Sequence, residues 1–176
     1  EYNMNEGQSA ILSLNDGLCS QSIKIWKCCK DSSGTATVLN DETITSNINN
    51  GTYYLNGTIT IDGNVTISNV VFNMAPEAKI ELNAPSTFNV NLSTIKAGCN
   101  YMWDGIYNRN SNSTVNTQSS TIQDAQNAIY SENGGFVSVS NTLFNLNNFG
   151  IRVYNSAVTN PLNVSNCRFY CTTDGT

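Results

Sequence analysis

The sequence predicts an all-β chain that forms a right-handed, single-stranded parallel β-helix, a solenoid of about 5–6 coils with roughly 22–27 residues each. Three observations predict this fold: a repeated spacing of apolar residues, short alternating stretches between turns, and an unusual composition. The 176 residues include 29 Asn, 19 Ser and 18 Thr, whereas charged residues make up only 12%. Such a composition favours strands and turns over helices.

The repeat is an apolar pair, separated by one residue, with a third apolar residue five positions after the pair. Its five copies are Val65-x-Ile67 with Phe72, Phe88-x-Val90 with Ile95, Val115-x-Thr117 with Ile122, Val137-x-Val139 with Phe144, and Leu162-x-Val164 with Phe169. Copies begin 23, 27, 22 and 25 residues apart, so length varies only between copies. Because each coil of a solenoid lies on its predecessor, the third residues are expected to form one stacked file: Phe72, Ile95, Ile122, Phe144 and Phe169.

A further apolar site precedes each copy, which gives three short strands per coil. It consists of Ile59-x-Ile61, Ile80-x-Leu82, Ile106, Ile129 and Ile151-x-Val153. Turns rich in Gly, Asn, Ser and Pro separate the strands. A β-sandwich is the alternative structure, but its antiparallel strands need no fixed coil length, so the constant five-residue interval argues against it.

Small polar residues recur two positions after each apolar pair. This position holds Asn69, Leu92, Ser119, Asn141 and Asn166. Stacked amides can hydrogen-bond along a column of strands about 4.8 Å apart, and Asn tolerates left-handed turns. We therefore expect a structural ladder at one corner of the coil, formed by Asn69, Ser119, Asn141 and Asn166.

Three segments carry a family resemblance: Trp103-Asp104-Gly105-Ile106, Asn141-Thr142-Leu143-Phe144 and Asn147-Asn148-Phe149-Gly150-Ile151. With the repeat, they make residues 43 to 171 resemble the right-handed parallel β-helix repeats of secreted and cell-surface bacterial proteins. That broad group includes adhesins, stalks and polysaccharide lyases or hydrolases, so the resemblance implies a fold rather than one activity. Residues 1–42 fall outside it and are expected to cap the β-helix of residues 43–176.

Charge and hydropathy exclude two classes of partner. The net charge is −5, and the eight Lys and Arg are scattered, so no basic stripe is available for nucleic acid. No apolar run approaches the roughly 18 residues of a membrane span. The start of the chain is not a signal peptide, which indicates a mature chain or a fragment.

Six cysteines indicate an oxidising, extracellular compartment with disulfides; they lie at positions 19, 28, 29, 99, 167 and 171. Cys167 and Cys171 flank Phe169 on one strand, too far apart to bond to each other. The chain has no His and no C-x-x-C pair, so we expect no metal site and no cofactor.

Residues suited to catalysis are few. Asp104 and Arg109 flank the Ile106 strand and, with Lys96 from the preceding coil, are the best candidates for a lyase-like group. A solvated ion pair is the commoner explanation of such a pattern. With no His and no paired carboxylates, we expect no catalytic residue and no enzymatic activity; a polysaccharide lyase or hydrolase of the β-helix type is the alternative.

Asp124 raises a separate question, because it stands two positions after Ile122, where the repeat predicts an inward side chain. Other copies have Met74, Ala97, Leu146 and Cys171 at this position. A buried carboxyl group there would have a raised pKa and could be functional. A one-residue slip that turns Ala125 inward explains the pattern without chemistry and is the favoured interpretation.

Tyr101, Trp103 and Tyr107 form the densest aromatic group, within the longest insertion between copies. Aromatic rings on the flank of a β-helix can stack on sugar faces, so these three are the candidate carbohydrate-binding residues. The alternative for Trp103 is that it covers the core, as large aromatic side chains usually do.

These observations predict a secreted or cell-surface, non-enzymatic protein: a rigid stalk, an adhesin or an extracellular filament subunit. The expected partners are a glycan, further domains of a longer chain, or other copies docked head to tail. Head-to-tail contacts that do not close generate filaments.

Overall fold

The structure is a computed structural model that describes residues 9–15, 20–26, 36–154 and 162–171. These residues form strands and turns, and no helix occurs among them. The strands in chain order are β1 (Ser9–Asn15), β2 (Ser20–Trp26), β3 (Thr37–Asn40), β4 (Thr43–Ile44), β5 (Ile48–Asn56), β6 (Thr58–Ile61), β7 (Asn64–Met74), β8 (Lys79–Leu82), β9 (Thr87–Asn91), β10 (Thr94–Ala97), β11 (Trp103–Asn108), β12 (Thr114–Gln118), β13 (Thr121–Gln123), β14 (Ala125–Ser131), β15 (Phe136–Ser140), β16 (Leu143–Asn145), β17 (Phe149–Val153), β18 (Leu162–Ser165) and β19 (Arg168–Tyr170).

Parallel strands stack into a β-solenoid of about five turns, which confirms the predicted fold class. One sheet of six strands runs in the order β17-β14-β11-β8-β6-β4. A second sheet of eleven strands contains two columns, β7-β9-β12-β15-β18 and β7-β10-β13-β16-β19, joined by the long strand β7. The chain visits these three faces in turn. The right-handed winding stays a prediction.

The predicted file of side chains is present. The strand register pairs Ile95 with both Phe72 and Ile122. It also pairs Phe144 with both Ile122 and Phe169. The first four residues of the file are at most 1% exposed and belong to one continuous apolar core. The rings of Phe144 and Phe169 stack with centroids 4.8 Å apart.

The corner after the first apolar pair has left-handed backbone. The φ angles of Asn69, Ser119, Asn141 and Asn166 lie between 48° and 55°, and backbone hydrogen bonds link successive corners, such as that from Asn141 N to Ser165 O at 3.0 Å. Left-handed φ is the conformation that Asn tolerates better than most residues. A side-chain ladder along these residues stays a prediction.

The next position along the chain carries buried hydroxyl groups that do join successive coils. Val70 N donates to Ser93 Oγ, and Ser93 N donates to Ser120 Oγ, both at 3.1 Å. Thr142 Oγ1 lies 3.0 Å from Thr117 Oγ1 in the same region. These contacts satisfy polar groups that the turn would otherwise bury without partners.

A hydrogen-bonded amide column lies on the outer surface of another face. Asn116 Nδ2 donates to Asn89 Oδ1 at 2.9 Å, and Asn89 Nδ2 donates to Asn64 Oδ1 at 3.1 Å. Asparagine therefore contributes to the stacking of this solenoid on the outside of the β9 and β12 strands.

The predicted capping segment is described only in part. Strands β1 and β2 pair antiparallel as a hairpin, whereas β3 already pairs in parallel with β5, ahead of the predicted domain start at residue 43. The capping role stays a prediction. Cys167 and Cys171 are free thiols, and Cys19, Cys28 and Cys29 lie outside the described residues.

The described ranges also bear on membrane insertion and on metal binding. Among these residues no helix has the length and hydropathy to cross a membrane. Nor do three metal-ligating side chains lie together anywhere in the same part of the chain.

Candidate carbohydrate-binding site

The structure changes the expected role of Trp103. Its side chain is fully buried in the core, and the indole N–H donates to the backbone oxygen of Gln123 at 2.8 Å. A ring without an exposed face cannot stack on a sugar. The prediction that Trp103 binds carbohydrate is therefore wrong, and the alternative, that it covers the core, describes its position.

Tyr101 lies at the mouth of a cleft of about 720 Å³, and 47% of its surface is exposed. Tyr101 belongs to the turn between β10 and β11. The cleft, named the Tyr101 cleft, is lined by Pro76, Glu77, Asn100, Tyr101, Met102, Asp104 and Gln126. A smaller cavity of about 280 Å³ shares Asn100, Tyr101 and Met102 with this cleft, so Tyr101 lines two concave surfaces.

The polar lining of the Tyr101 cleft is made of hydrogen-bond acceptors and amides. Glu77 and Asp104 contribute carboxylates, Asn100 and Gln126 contribute amides, and no Lys or Arg is part of the lining. The Gln126 amide is held by Met102 Sδ at 3.3 Å and by Asn148 at 3.3 Å. A ring beside such groups can pack on the apolar face of a sugar while the groups bind its hydroxyls.

Tyr107 is buried beside the cleft rather than exposed as a sugar-stacking ring. Its hydroxyl donates to Asp104 Oδ1 at 2.8 Å and accepts from Asn127 Nδ2 at 3.2 Å. Burial and the contact with the Asp104 carboxylate raise the pKa of Tyr107 to about 12, so the phenol is neutral in physiological buffer. Tyr107 therefore positions Asp104 at the rim of the cleft.

A hydrogen-bond chain continues from Tyr107 across three strands of the six-stranded sheet. Arg152 NH1 donates to Asn127 Oδ1 at 3.2 Å, and Asn127 in turn donates to the Tyr107 hydroxyl. The residues belong to β11, β14 and β17, which are hydrogen-bonded neighbours. This series of hydrogen bonds connects the rim of the cleft with the Arg152 guanidinium, which lies two strands away.

Aromatic rings lie beside these hydrogen-bonded residues on the outer face of the six-stranded sheet. The register aligns Glu81, Tyr107, Tyr130 and Arg152 in one row across β8, β11, β14 and β17. Tyr107 and Tyr130 meet edge to face, with centroids 5.7 Å apart. The Arg152 guanidinium carbon lies 4.7 Å from the ring centres of both Tyr130 and Phe149.

The lyase-like group predicted around Asp104 does not assemble. Arg109 NH2 lies 3.1 Å from Glu81 Oε1, and Arg109 Nε lies 3.7 Å from Glu132 Oε2. Asp104 instead accepts the Tyr107 hydroxyl. The expected pairing of Asp104 with Arg109 is therefore replaced by an ion-pair cluster centred on Glu81.

Neither Lys96 nor Lys79 is seen to pair with Asp104. Lys96 lies on β10, in the eleven-stranded sheet, and so faces a different side of the solenoid from Asp104 on β11. Lys79 Nζ lies 2.8 Å from Glu81 Oε1. Burial raises the pKa of Glu81, but the Lys79 hydrogen bond and the other contacts outweigh it, so the pKa lies below its ordinary value.

The positions of Asp124 and Ala125 agree with the one-residue slip that the sequence analysis favours. Ala125 is fully buried, whereas Asp124 is half-buried with a left-handed φ of 61°. Gln123 Nε2 donates to Asp124 Oδ2 at 3.0 Å. The one-residue slip is therefore confirmed, and the carboxylate borders the smaller cavity instead of entering the core.

Sequence reasoning missed Asn127, Tyr130, Phe149 and Arg152. Nothing in the sequence distinguishes them: Tyr130 and Arg152 alternate with Ile129 and Ile151, whereas Asn127 and Phe149 stand two positions before those residues, where alternation predicts an inward side chain. Only the register of β11, β14 and β17 aligns them with Tyr107.

No family model, curated protein or solved structure matches this chain.

Proposed function

We propose that this protein is a non-enzymatic, secreted or cell-surface solenoid that acts as a rigid stalk or adhesin and binds a glycan in the Tyr101 cleft. The observation that carries the proposal is the exposed Tyr101 ring beside carboxylate and amide groups on an otherwise regular stack of strands. The six cysteines and the low lysine content favour an extracellular location.

The solenoid supports such binding by holding the site rigidly. The backbone of β11 is hydrogen-bonded to strands on both sides, and Asp104 is oriented by the Tyr107 hydroxyl. A preorganised site loses little conformational freedom on binding, which favours affinity. The side chains around the cleft are suited to bind and orient hydroxyl groups.

Replacing Tyr101 with alanine is expected to weaken glycan binding about tenfold, equivalent to roughly 1.4 kcal/mol, because the stacking surface is removed. Affinity is measured by calorimetry with ligands selected on an array of neutral and acidic oligosaccharides. The matched control is Phe136→Ala, which removes a 38% exposed ring on the eleven-stranded sheet and should leave affinity unchanged.

Two outcomes would overturn the proposal. The first is an array on which the protein binds no oligosaccharide. The second is release of unsaturated oligosaccharides from an acidic glycan, with turnover abolished by Arg109→Ala, which would identify a lyase instead. Since Arg109 is already paired with Glu81 and Glu132, we expect its removal to affect stability, and we expect no turnover in either the wild type or the variant.

Filament formation is a second candidate function, supported by an apolar end of the solenoid. Leu162, Val164 and Phe169 continue the columns of Val137, Val139 and Phe144, which are at most 1% exposed. In the last described coil these three are 41%, 44% and 52% exposed. A second copy docked head to tail, or further coils of a longer chain, would bury them and continue the parallel sheets.

Self-association is expected to rise with concentration in sedimentation velocity and to fall in the Phe169→Asp variant, because a charge at this surface opposes burial. The control is Leu92→Asp, which changes a 62% exposed side chain at a corner of the coil and should leave association intact. A wild-type chain that stays monomeric at high concentration, or equal association of both variants, contradicts this candidate.

A further inference from the structure

Arg152 is a cation held in a fixed position on the outer face of β17. Its guanidinium carbon lies 4.7 Å from the ring centres of Tyr130 and Phe149, and NH1 donates to Asn127 Oδ1 at 3.2 Å. Two rings and an amide therefore restrict a side chain that ordinarily has many rotamers. An immobilised guanidinium loses less conformational entropy when it binds an anion.

The charge of Arg152 has no carboxylate partner in the part of the chain that the structure describes. Among the described residues no carboxylate lies within ion-pair distance of it, whereas Arg109 and Lys79 both contact Glu81. Arg152 is exposed, and so are the neighbouring rings of Phe149 and Tyr154. The remaining N–H donors of the Arg152 guanidinium suit a carboxylate, which accepts two parallel hydrogen bonds.

The distance to the Tyr101 cleft suits one extended ligand. Tyr107 on β11 and Arg152 on β17 share one register row, two strand spacings or roughly 10 Å apart, and Asp104 stands three residues before Tyr107 on β11. Asn127 and Tyr107 connect the two by hydrogen bonds, so the cation and the rim of the cleft keep a constant separation. A short oligosaccharide spans this length, whereas a single sugar ring does not.

We propose that Arg152, with Phe149 and Tyr154 beside it, binds the carboxylate of an acidic sugar in a glycan whose neutral part occupies the Tyr101 cleft. This inference rests on the proposed function and adds the ligand class. The cleft itself has a carboxylate-rich lining and disfavours an anion, so the acidic sugar is expected at the Arg152 end alone.

An edge-strand charge that only prevents aggregation is the competing explanation. Strand β17 stands at the edge of the six-stranded sheet, where charged residues discourage pairing with other chains. A charge that only prevents pairing needs no fixed side-chain orientation, whereas the Arg152 side chain is held by two rings and an amide. It also predicts a different result, namely that the loss of Arg152 alters solubility and leaves glycan affinity unchanged.

The test compares cellopentaose and chitopentaose with the same two sugars oxidised to uronates at C6. Binding to the full chain is measured by calorimetry at low and at high salt. For at least one of the two sugars, the wild-type protein should bind the uronate about tenfold tighter than the neutral form, and salt should reduce this gain. The Arg152→Gln variant should bind the two forms equally, with the affinity of the wild type for the neutral sugar. Arg152→Lys should retain only part of the preference for the uronate, because lysine keeps the positive charge but lacks the planar guanidinium that donates two parallel hydrogen bonds.

The possible results separate the two proposals. Equal wild-type affinity for neutral and oxidised sugars overturns the Arg152 inference and leaves the proposed function standing. A gain that persists in Arg152→Gln also overturns the inference. Absence of binding to either sugar in both forms overturns the inference, and an array without any ligand overturns the proposed function as well. Unchanged thermal unfolding of Arg152→Gln confirms that its loss of affinity is not a loss of fold.

Discussion

The Phe144→Ala variant is expected to lose about 3–5 kcal/mol of the free energy of unfolding, because a fully packed aromatic side chain is removed from the core. Phe144 is 1% exposed and lies between Ile122 and Phe169 in the stacked file. Each coil of a solenoid contacts only its neighbours, so the cavity should weaken two successive interfaces. The free energy is measured by urea titration followed by circular dichroism.

Phe169 provides a control of the same residue type in the same file. It is 52% exposed and stacks on Phe144 from one side only. Phe169→Ala should therefore cost about 1 kcal/mol, near the value of one aromatic contact. The two variants are compared at a concentration where the chain is monomeric. Equal losses of the free energy of unfolding would contradict the stacked coils, which require Phe144 to be more buried than Phe169.

The stacked file was predictable from the sequence because its signal is periodic and local. The interval of five residues between the apolar pair and Phe72, Ile95 or Ile122 is too short to tolerate an insertion, so every copy retains it. Differences in coil length fall in turns, which accept extra residues at little cost. The register of the parallel strands then follows, since a slip of one residue would turn each file outward.

The hydroxyl contacts at the corner were harder to predict. The sequence identified the recurring small polar position, and the side-chain ladder expected there stays a prediction. In the structure that position has left-handed backbone at Asn69, Ser119 and Asn141, and hydroxyl bonds between coils are made by the next residues, Ser93 and Ser120. A turn of this type rotates the following side chain inward, an effect that depends on φ and not on composition.

The candidate site was only partly predictable, since it combines residues from different coils. Tyr101 followed from its position in the longest insertion. Arg152 and Asn127 did not, because a single exposed residue gives no sequence signal until the register of β11, β14 and β17 is known. Trp103 shows the opposite error, in which an aromatic residue near a candidate site belongs to the core. Aromatic composition alone cannot separate these two roles.

The Gly105→Ala variant is expected to lose roughly 2–6 kcal/mol of the free energy of unfolding, from backbone strain and overpacking together. Gly105 has a φ of 144°, and an added Cβ would overlap the backbone oxygen of Asn127 on the next strand. Register shifts between Gly105 and Ile106 at this point, so β11 and β14 approach closely only because the side chain is absent. Urea titration measures the loss.

Gly63→Ala is the matched control, because Gly63 also has positive φ, at 81°, but an added Cβ meets nothing within 4 Å. Both variants share the change in unfolded-chain entropy and the strain of positive φ, so their difference isolates the clash with Asn127. Gly105→Ala should also weaken glycan binding, since separation of β11 from β14 breaks the hydrogen bond between Asn127 and Tyr107. Equal stabilities of the two variants would mean that β14 yields freely at this point, and the rigid connection between the Tyr101 cleft and Arg152 would then have no structural basis.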